Sequence, residues 1–138
     1  GLFSRWPAHH FLVSDPGLHC EAENVTVIPE DLRPLEVIPL CTRVITKPGY
    51  STFCEAMALG VGIHVVHRDG FAEAQVLEEA LERHAPHRLL SREQLERGDW
   101  QLDRPLMPAR GAALRPDGAD QAARVLMALA GQSGLVEC

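Results

Sequence analysis

The chain has 138 residues, of which 46% are apolar and 23% charged, a length and composition typical of one ordinary folded domain. This composition excludes a disordered tail, a collagen-like chain and a pure linker. With 13 basic against 19 acidic residues the formal charge is −6. An acidic chain without a basic stripe argues against a nucleic-acid binder held by phosphate contacts.

The cysteines form no CxxC pair and no dense framework, so we expect reduced thiols and a cytoplasmic protein rather than a disulfide scaffold. No apolar run reaches the roughly 18–20 residues of a membrane-spanning helix, so we expect no transmembrane segment. The cysteines are Cys20, Cys41, Cys54 and Cys138.

In the first third of the chain, apolar runs typical of strands surround one weak helical pattern, which Pro39 interrupts. The patterns predict strands at His9–Ser14, Val25–Ile28 and Arg43–Thr46, and a short helix over Leu32–Cys41.

The remainder of the chain alternates helical spacing with short apolar runs. The last helix is expected to turn Ala122, Val125, Leu126 and Leu129 inward. In chain order we predict a helix over Ser51–Leu59 ended by Gly60, a strand at Gly62–Val66, a helix over Phe71–His84, a strand at His87–Leu90, a short helix from a Ser91 cap through Glu96, a surface segment over Gly98–Gly118 and a helix over about Ala119–Ala130.

Short strands separated by helices indicate βαβ units. We therefore predict a single α/β domain over residues 1–138, with a Rossmann-like, mainly parallel sheet of about five strands and helices on both faces. Ligands of such sheets bind at the carboxyl ends of the strands. The loops after Thr46 and Val66 are the first places to search for a site.

The segment after Thr46 runs from a strand through a glycine turn to a pair of hydroxyl residues at a helix start. Gly49 lets a ligand approach the backbone, Ser51 and Thr52 add hydroxyl donors, and Lys47 adds a cation. Free N–H groups and the helix dipole suit a phosphate or diphosphate at such a position.

A structural alternative exists for the same residues. Thr52 and Glu55 have the spacing of a capping box, in which the glutamate only bonds back to the backbone at the helix start. The sequence alone leaves capping and ligand binding about equally favoured.

The stretch RVITKPGYSTFCEAMALGVGIHVVHRDGFAEAQVLEEAL resembles the donor-binding half of GT-B glycosyltransferases. It is most similar to the transferases that carry N-acetylglucosamine from a uridine diphosphate sugar onto a lipid in cell-wall synthesis. It also resembles the glycosyltransferase-like domain found ahead of sugar kinases such as arabinokinase. The residues that fit the family pattern in order are Gly49, Ser51, Thr52, Glu55 and Gly60.

The resemblance implies roles for individual residues. Gly49, Ser51 and Thr52, together with Lys47, would hold the donor diphosphate, and Glu55 would hold the ribose hydroxyls. No catalytic residue is identified, and the resemblance implies no cofactor and no metal. The candidates for the sugar side are Arg68, Asp69, Gly70, Glu73 and Gln75.

The resemblance also implies that parts of the family fold are absent from this chain. The family's first strand, which lies in the middle of the sheet, and the acceptor domain have no counterpart, so we expect a fragment that binds a nucleotide diphosphate sugar but transfers no hexosyl group alone. A sheet with an unfilled middle exposes strand edges. Either the neighbouring strands close up, or another chain fills the gap, with a homodimer as one form.

Three other functions remain open. One is a non-catalytic nucleotide-binding, regulatory or interaction domain. A second is a sugar-nucleotide epimerase, because Arg68, Asp69 and Glu73 resemble its arginine-containing loop. A third is a serine hydrolase with Ser51 at a strand-to-helix elbow, although Phe53 stands where that motif has its second glycine.

Overall fold

The computed structural model describes residues 1–133, in which five short strands are interleaved with five α-helices. This confirms an α/β protein with all five predicted strands. Cys138 lies outside the described residues. The elements are β1 (Phe11–Val13), β2 (Val25–Val27), α1 (Pro34–Val37), β3 (Arg43–Thr46), α2 (Tyr50–Ala58), β4 (Gly62–Val66), α3 (Ala74–His84), β5 (His87–Leu90), α4 (Arg92–Arg97) and α5 (Gly118–Ser133).

The strands form two parallel sheets, and the prediction of one continuous sheet is wrong. β1 pairs with β2, and β3, β4 and β5 form a second sheet in that order. Within the described residues β1 and β3 do not pair with each other. The alternative in which the strands beside the unfilled middle close up is therefore also wrong.

One edge of β1 is open. The N–H of Phe11 donates to the Asn24 carbonyl at 2.8 Å, and the Val13 carbonyl accepts from Ile28 at 2.9 Å. Because backbone groups alternate between the two sides of a parallel strand, the N–H and C=O of Leu12 point away from β2. This edge finds no strand partner in the part of the chain that is described.

The outer edge of β3 is open in the same way. The N–H of Gly62 donates to the Thr42 carbonyl at 3.3 Å, which places the backbone groups of Arg43 and Ile45 on the side away from β4. β1 and β3 are only half-buried along their whole length, whereas β4 is buried over its first four residues. The exposure of these apolar strands follows from their missing neighbours.

The main core lies on one face of the larger sheet, against α2 and α3. The helical spacing of Phe53 with Ala56, and of Leu77 with Leu81, predicts buried faces, and all four residues are buried. Gly60 ends the turn after α2 with a φ of 68°, which is the predicted left-handed stop. The core cluster comprises Ile38, Phe53, Ala56, Val61, Ile63, Val65, Leu77, Leu81 and Ala85.

The opposite face of the larger sheet is covered by the segment after α4, which was predicted to be a surface segment. Trp100 and Leu102 are buried there, and a side chain at Gly62 would overlap Leu106. The correction has a physical cause, because two arginines of the sheet bind backbone carbonyls of this segment. Arg43 donates to Arg104 at 3.0 Å. Arg88 donates to the Pro105 carbonyl.

His64 is packed in this layer and is fully buried. Its Nε2 accepts a hydrogen bond from Arg43 Nη1 at 3.2 Å. Burial, assisted by the positive charges of Arg43 and Arg88, lowers the pKa of His64 to about 4. His64 is therefore a neutral, structural histidine near pH 7.

Helix α5 contradicts the prediction that its apolar stripe faces inward. Ala122 is exposed, and Val125, Leu126 and Leu129 are 59%, 66% and 55% exposed. Helical spacing indicates an apolar stripe but does not indicate what covers it. Nowhere in residues 1–133 is there a helix with the length and apolar character needed to cross a membrane.

Candidate functional site

A cleft of about 810 Å³ opens at the carboxyl ends of β1, β3 and β4. Ser14 lines it after β1, Lys47 after β3, and His67 and Arg68 after β4, while Arg92 of α4 forms another wall. This is where ligands bind in open parallel sheets. The fold thus brings together the two loops that the sequence indicated.

The cleft contains more cationic side chains than anionic ones. Lys47 is exposed and has no ion pair with any described residue. Arg68 lies over the ring of Phe71, 5.1 Å from its centre, and makes no ion pair with any described residue. Arg92 is already paired, with 2.9 Å between its Nε and Glu96 Oε1.

Helix α2 begins at Tyr50, three residues after Lys47, without a side-chain cap. Gly49 precedes the helix with an extended backbone, φ −166° and ψ 133°, and makes no side-chain cap bond. The first N–H bonded within the helix is that of Phe53, which donates to the Gly49 carbonyl at 3.1 Å. The N–H groups of residues 50–52 therefore remain available to a ligand.

The capping-box alternative is wrong. Because α2 begins at Tyr50, Thr52 lies inside the first turn and is not the residue that precedes the helix. Glu55 makes no hydrogen bond or ion pair with another residue of the described chain. It is half-buried and keeps its carboxylate oxygens free for another partner.

Glu55 lines a second groove, of about 470 Å³, along the second half of α2. The groove is mainly apolar, and its walls include Leu35, Leu59 and Leu114. Ser51 and Glu55 are one helical turn apart, which is about 6 Å along the axis. Gly49, Ser51 and Thr52, which lie between Lys47 and Glu55 in the chain, line neither cavity.

The candidates for the sugar side are only partly brought together. Arg68 lines the cleft, and Asp69 lies beside it. Gly70 turns the chain with a φ of 72°. Glu73 is exposed at the residue before α3. Gln75 is engaged on the helix surface, where it donates to Glu79 at 3.0 Å.

His67 is a residue of the cleft that the sequence analysis did not include among its candidates. Its Nδ1 lies 2.8 Å from Glu78 Oε1, and its Nε2 lies 3.2 Å from Asp69 Oδ1. The hydrogen bond to Glu78, more than any other contact, raises the pKa of His67. The available signal was its position directly after the central strand, where parallel sheets place ligand contacts.

The described thiols form no disulfide, and burial raises the pKa of Cys41. The chain matches no protein-family model, no curated protein and no solved structure. The roles suggested by the resemblance of residues 43–81 therefore remain predictions.

Proposed function

We propose that this chain binds a nucleoside diphosphate sugar, with uridine as the nucleoside, as the donor-binding half of a glycosyltransferase. The observation that carries the proposal is the uncapped start of α2, which lies three residues after Lys47, a cation of the cleft without an ion pair to any described residue. A ligand with two adjacent negative charges matches this combination.

The diphosphate would lie across the first turn of α2. Three free N–H groups and the positive end of the helix dipole favour an anion there. Lys47 supplies a mobile charge, and the Ser51 and Thr52 hydroxyls supply further donors. A side chain at Gly49 would meet nothing closer than the Lys47 carbonyl at 3.9 Å, so the backbone is open to approach.

The nucleoside would continue along α2 toward Glu55. The free carboxylate of Glu55, one turn from Ser51, has the right chemistry to accept hydrogen bonds from two ribose hydroxyls. The apolar groove beyond it offers Leu35, Leu59 and Leu114 to the faces of a base. The sugar would lie on the opposite side, toward Arg68.

This arrangement stabilises a leaving diphosphate but lacks the acceptor half of a transfer reaction. Helix N–H groups and cations compensate the charge that develops when the glycosidic bond breaks. We therefore expect the isolated chain to bind the donor without transferring the sugar. Transfer would need an acceptor-binding domain that contributes the base.

A thermal-shift titration with uridine diphosphate, guanosine diphosphate and uridine monophosphate tests the proposal. A ligand that binds only the folded state stabilises it by about 2.7 kcal/mol at a hundredfold excess over Kd. We expect the largest shift with uridine diphosphate. Equal shifts with all three would indicate an unselective anion site, and no shift would remove the proposal.

The variant Ser51→Asp separates binding from folding. A carboxylate in the first turn is favourable for the helix by about 0.3–1 kcal/mol, so the variant should fold, yet its charge should expel the diphosphate. The matched control is Ala119→Asp, at the second residue of α5 and exposed. A Ser51→Asp protein that binds as well as Ala119→Asp would contradict the phosphate position.

The non-catalytic nucleotide-binding domain differs from this proposal only in having no transferase partner, and the same titration supports both. Nothing in the structure favours the serine hydrolase, because no histidine of the described chain hydrogen-bonds Ser51.

A further inference from the structure

His67 stands between two carboxylates at the carboxyl end of β4. The Glu78 carboxylate, on α3, is only 15% exposed and holds the Nδ1 side of the ring. The Asp69 carboxylate, on the loop, is fully exposed and faces the Nε2 side at 3.2 Å. One partner is thus fixed by its packing, and the other is free to move away.

His67 lines the same cleft as Lys47 and Arg68, which make no ion pair with any described residue. Lys47 approaches from the end of β3, and Arg68 follows His67 in the chain. Arg92 and Glu96 on α4 are paired with each other.

One acidic group reaches the cleft from β1. The carboxylate of Asp15 accepts a hydrogen bond from the N–H of Gly17 at 3.0 Å, so one of its oxygens is already bound within its own turn. Asp69 is therefore the anion that directly occupies the free side of the imidazole.

We propose that protonated His67, oriented by Glu78, binds a phosphate oxygen of the donor through Nε2, in the place that Asp69 occupies in the free protein. This inference rests on the proposed function, since it assigns one further contact to the same ligand. His67 is a binding residue in this scheme, and Glu78 is a positioning residue.

The charge state of His67 gives the interaction a pH dependence. The Glu78 hydrogen bond raises the pKa of His67 above its usual value, with a smaller contribution from Asp69. The imidazolium is therefore present below this raised pKa and is lost as the pH rises through it. Donor affinity should fall over the same interval.

The test is isothermal titration with uridine diphosphate N-acetylglucosamine between pH 5.5 and 8.5. Its diphosphate is a diester and lacks the phosphate ionisation near pH 6 that free nucleotides have, so titration of the ligand does not mask that of the protein. We expect the wild-type affinity to fall about tenfold across this range, as for the loss of one charged hydrogen bond.

The variant His67→Gln retains a hydrogen-bonding side chain but cannot become charged. It should bind about tenfold more weakly at pH 5.5 and show a flat pH profile. The control is His84→Gln, because His84 contacts the Ala112 carbonyl away from the cleft. That protein should retain the wild-type affinity and profile.

The outcomes distinguish the two proposals. Donor binding with the same pH profile in wild type and His67→Gln would overturn the role of His67 and leave the donor site intact. Absence of donor binding in the wild type at every pH would overturn the proposed function itself.

A second measurement distinguishes a His67 that binds the donor phosphate from one that only forms a structural ion pair with Glu78. The imidazole pKa of His67 is followed by NMR with and without saturating donor. Because coupling between proton and ligand is reciprocal, the donor should raise this pKa. An unchanged pKa would mean that the imidazole does not contact the phosphate. In Glu78→Gln, the wild-type pH profile should move to lower pH.

Discussion

Glu55 is the residue at which the structure changes the interpretation most. Sequence spacing allowed it to serve as a helix cap, and the resemblance to glycosyltransferases implied a role as a ribose ligand. The start of α2 at Tyr50 removes the first role, since Thr52 lies inside the helix and the Glu55 carboxylate makes no hydrogen bond to a described backbone N–H. Its half-buried carboxylate beside an apolar groove makes no hydrogen bond or ion pair within the described chain.

We therefore expect Glu55→Gln to weaken nucleotide binding by about 1–3 kcal/mol, the value of a hydrogen bond to a charged group, without lowering Tm. The matched control is Glu36→Gln in α1. The Glu36 carboxylate accepts from the Arg33 N–H at 2.9 Å, and this bond lowers the pKa of Glu36. That substitution should reduce stability and leave nucleotide binding unchanged.

Calorimetric titration and thermal unfolding of both variants check this expectation. A Glu55→Gln protein with lower Tm and unchanged affinity would restore a structural role for Glu55 and remove it from the site.

At the scale of elements, helices α3 and α5 show what periodicity can and cannot predict. Both have an apolar stripe at helical spacing. In α3 the stripe meets the sheet, and Leu81 is fully buried. In α5 the corresponding Leu126 is 66% exposed. Local sequence determines the stripe, but burial depends on a partner surface, either from elsewhere in the fold or from outside it.

The two leucines should therefore differ in their effect on stability. Leu81→Ala should lower the free energy of unfolding by about 2–5 kcal/mol, because it leaves a cavity in the core. Leu126→Gln should change it by less than about 0.5 kcal/mol, as is usual for an exposed position. Denaturant unfolding at low protein concentration measures both. A large loss in Leu126→Gln would show that α5 is covered in solution.

At the scale of the whole molecule, the sequence predicts the elements better than their assembly. The apolar runs locate all five strands, and the glycine turn locates the loop at the cleft. The sequence patterns predict that consecutive strands such as β1 and β2, or β3 and β4, pair with each other. They contain no information on whether β1 pairs with β3. The covering of the sheet by Trp100 and Leu102 was missed for a related reason, since prolines and glycines around them indicated a loop but not its path.

The two open edges predict self-association. β1 and β3 each expose unpaired backbone groups, and their carboxyl ends line the same cleft. Unpaired edges of apolar strands are templates for pairing with another chain. We expect sedimentation velocity to show a species larger than the monomer that grows with protein concentration.

Proline substitution identifies the edge responsible. Leu12→Pro removes an N–H that points to the open side of β1 and breaks no hydrogen bond within the sheet, so it should abolish association while the monomer stays folded. Val27→Pro is the matched control, because the N–H of Val27 points to the outer side of β2. Loss of association in Val27→Pro alone would place the contact on the outer edge of the small sheet. A monomer at every concentration would mean that the gap between β1 and β3 does not recruit a second copy.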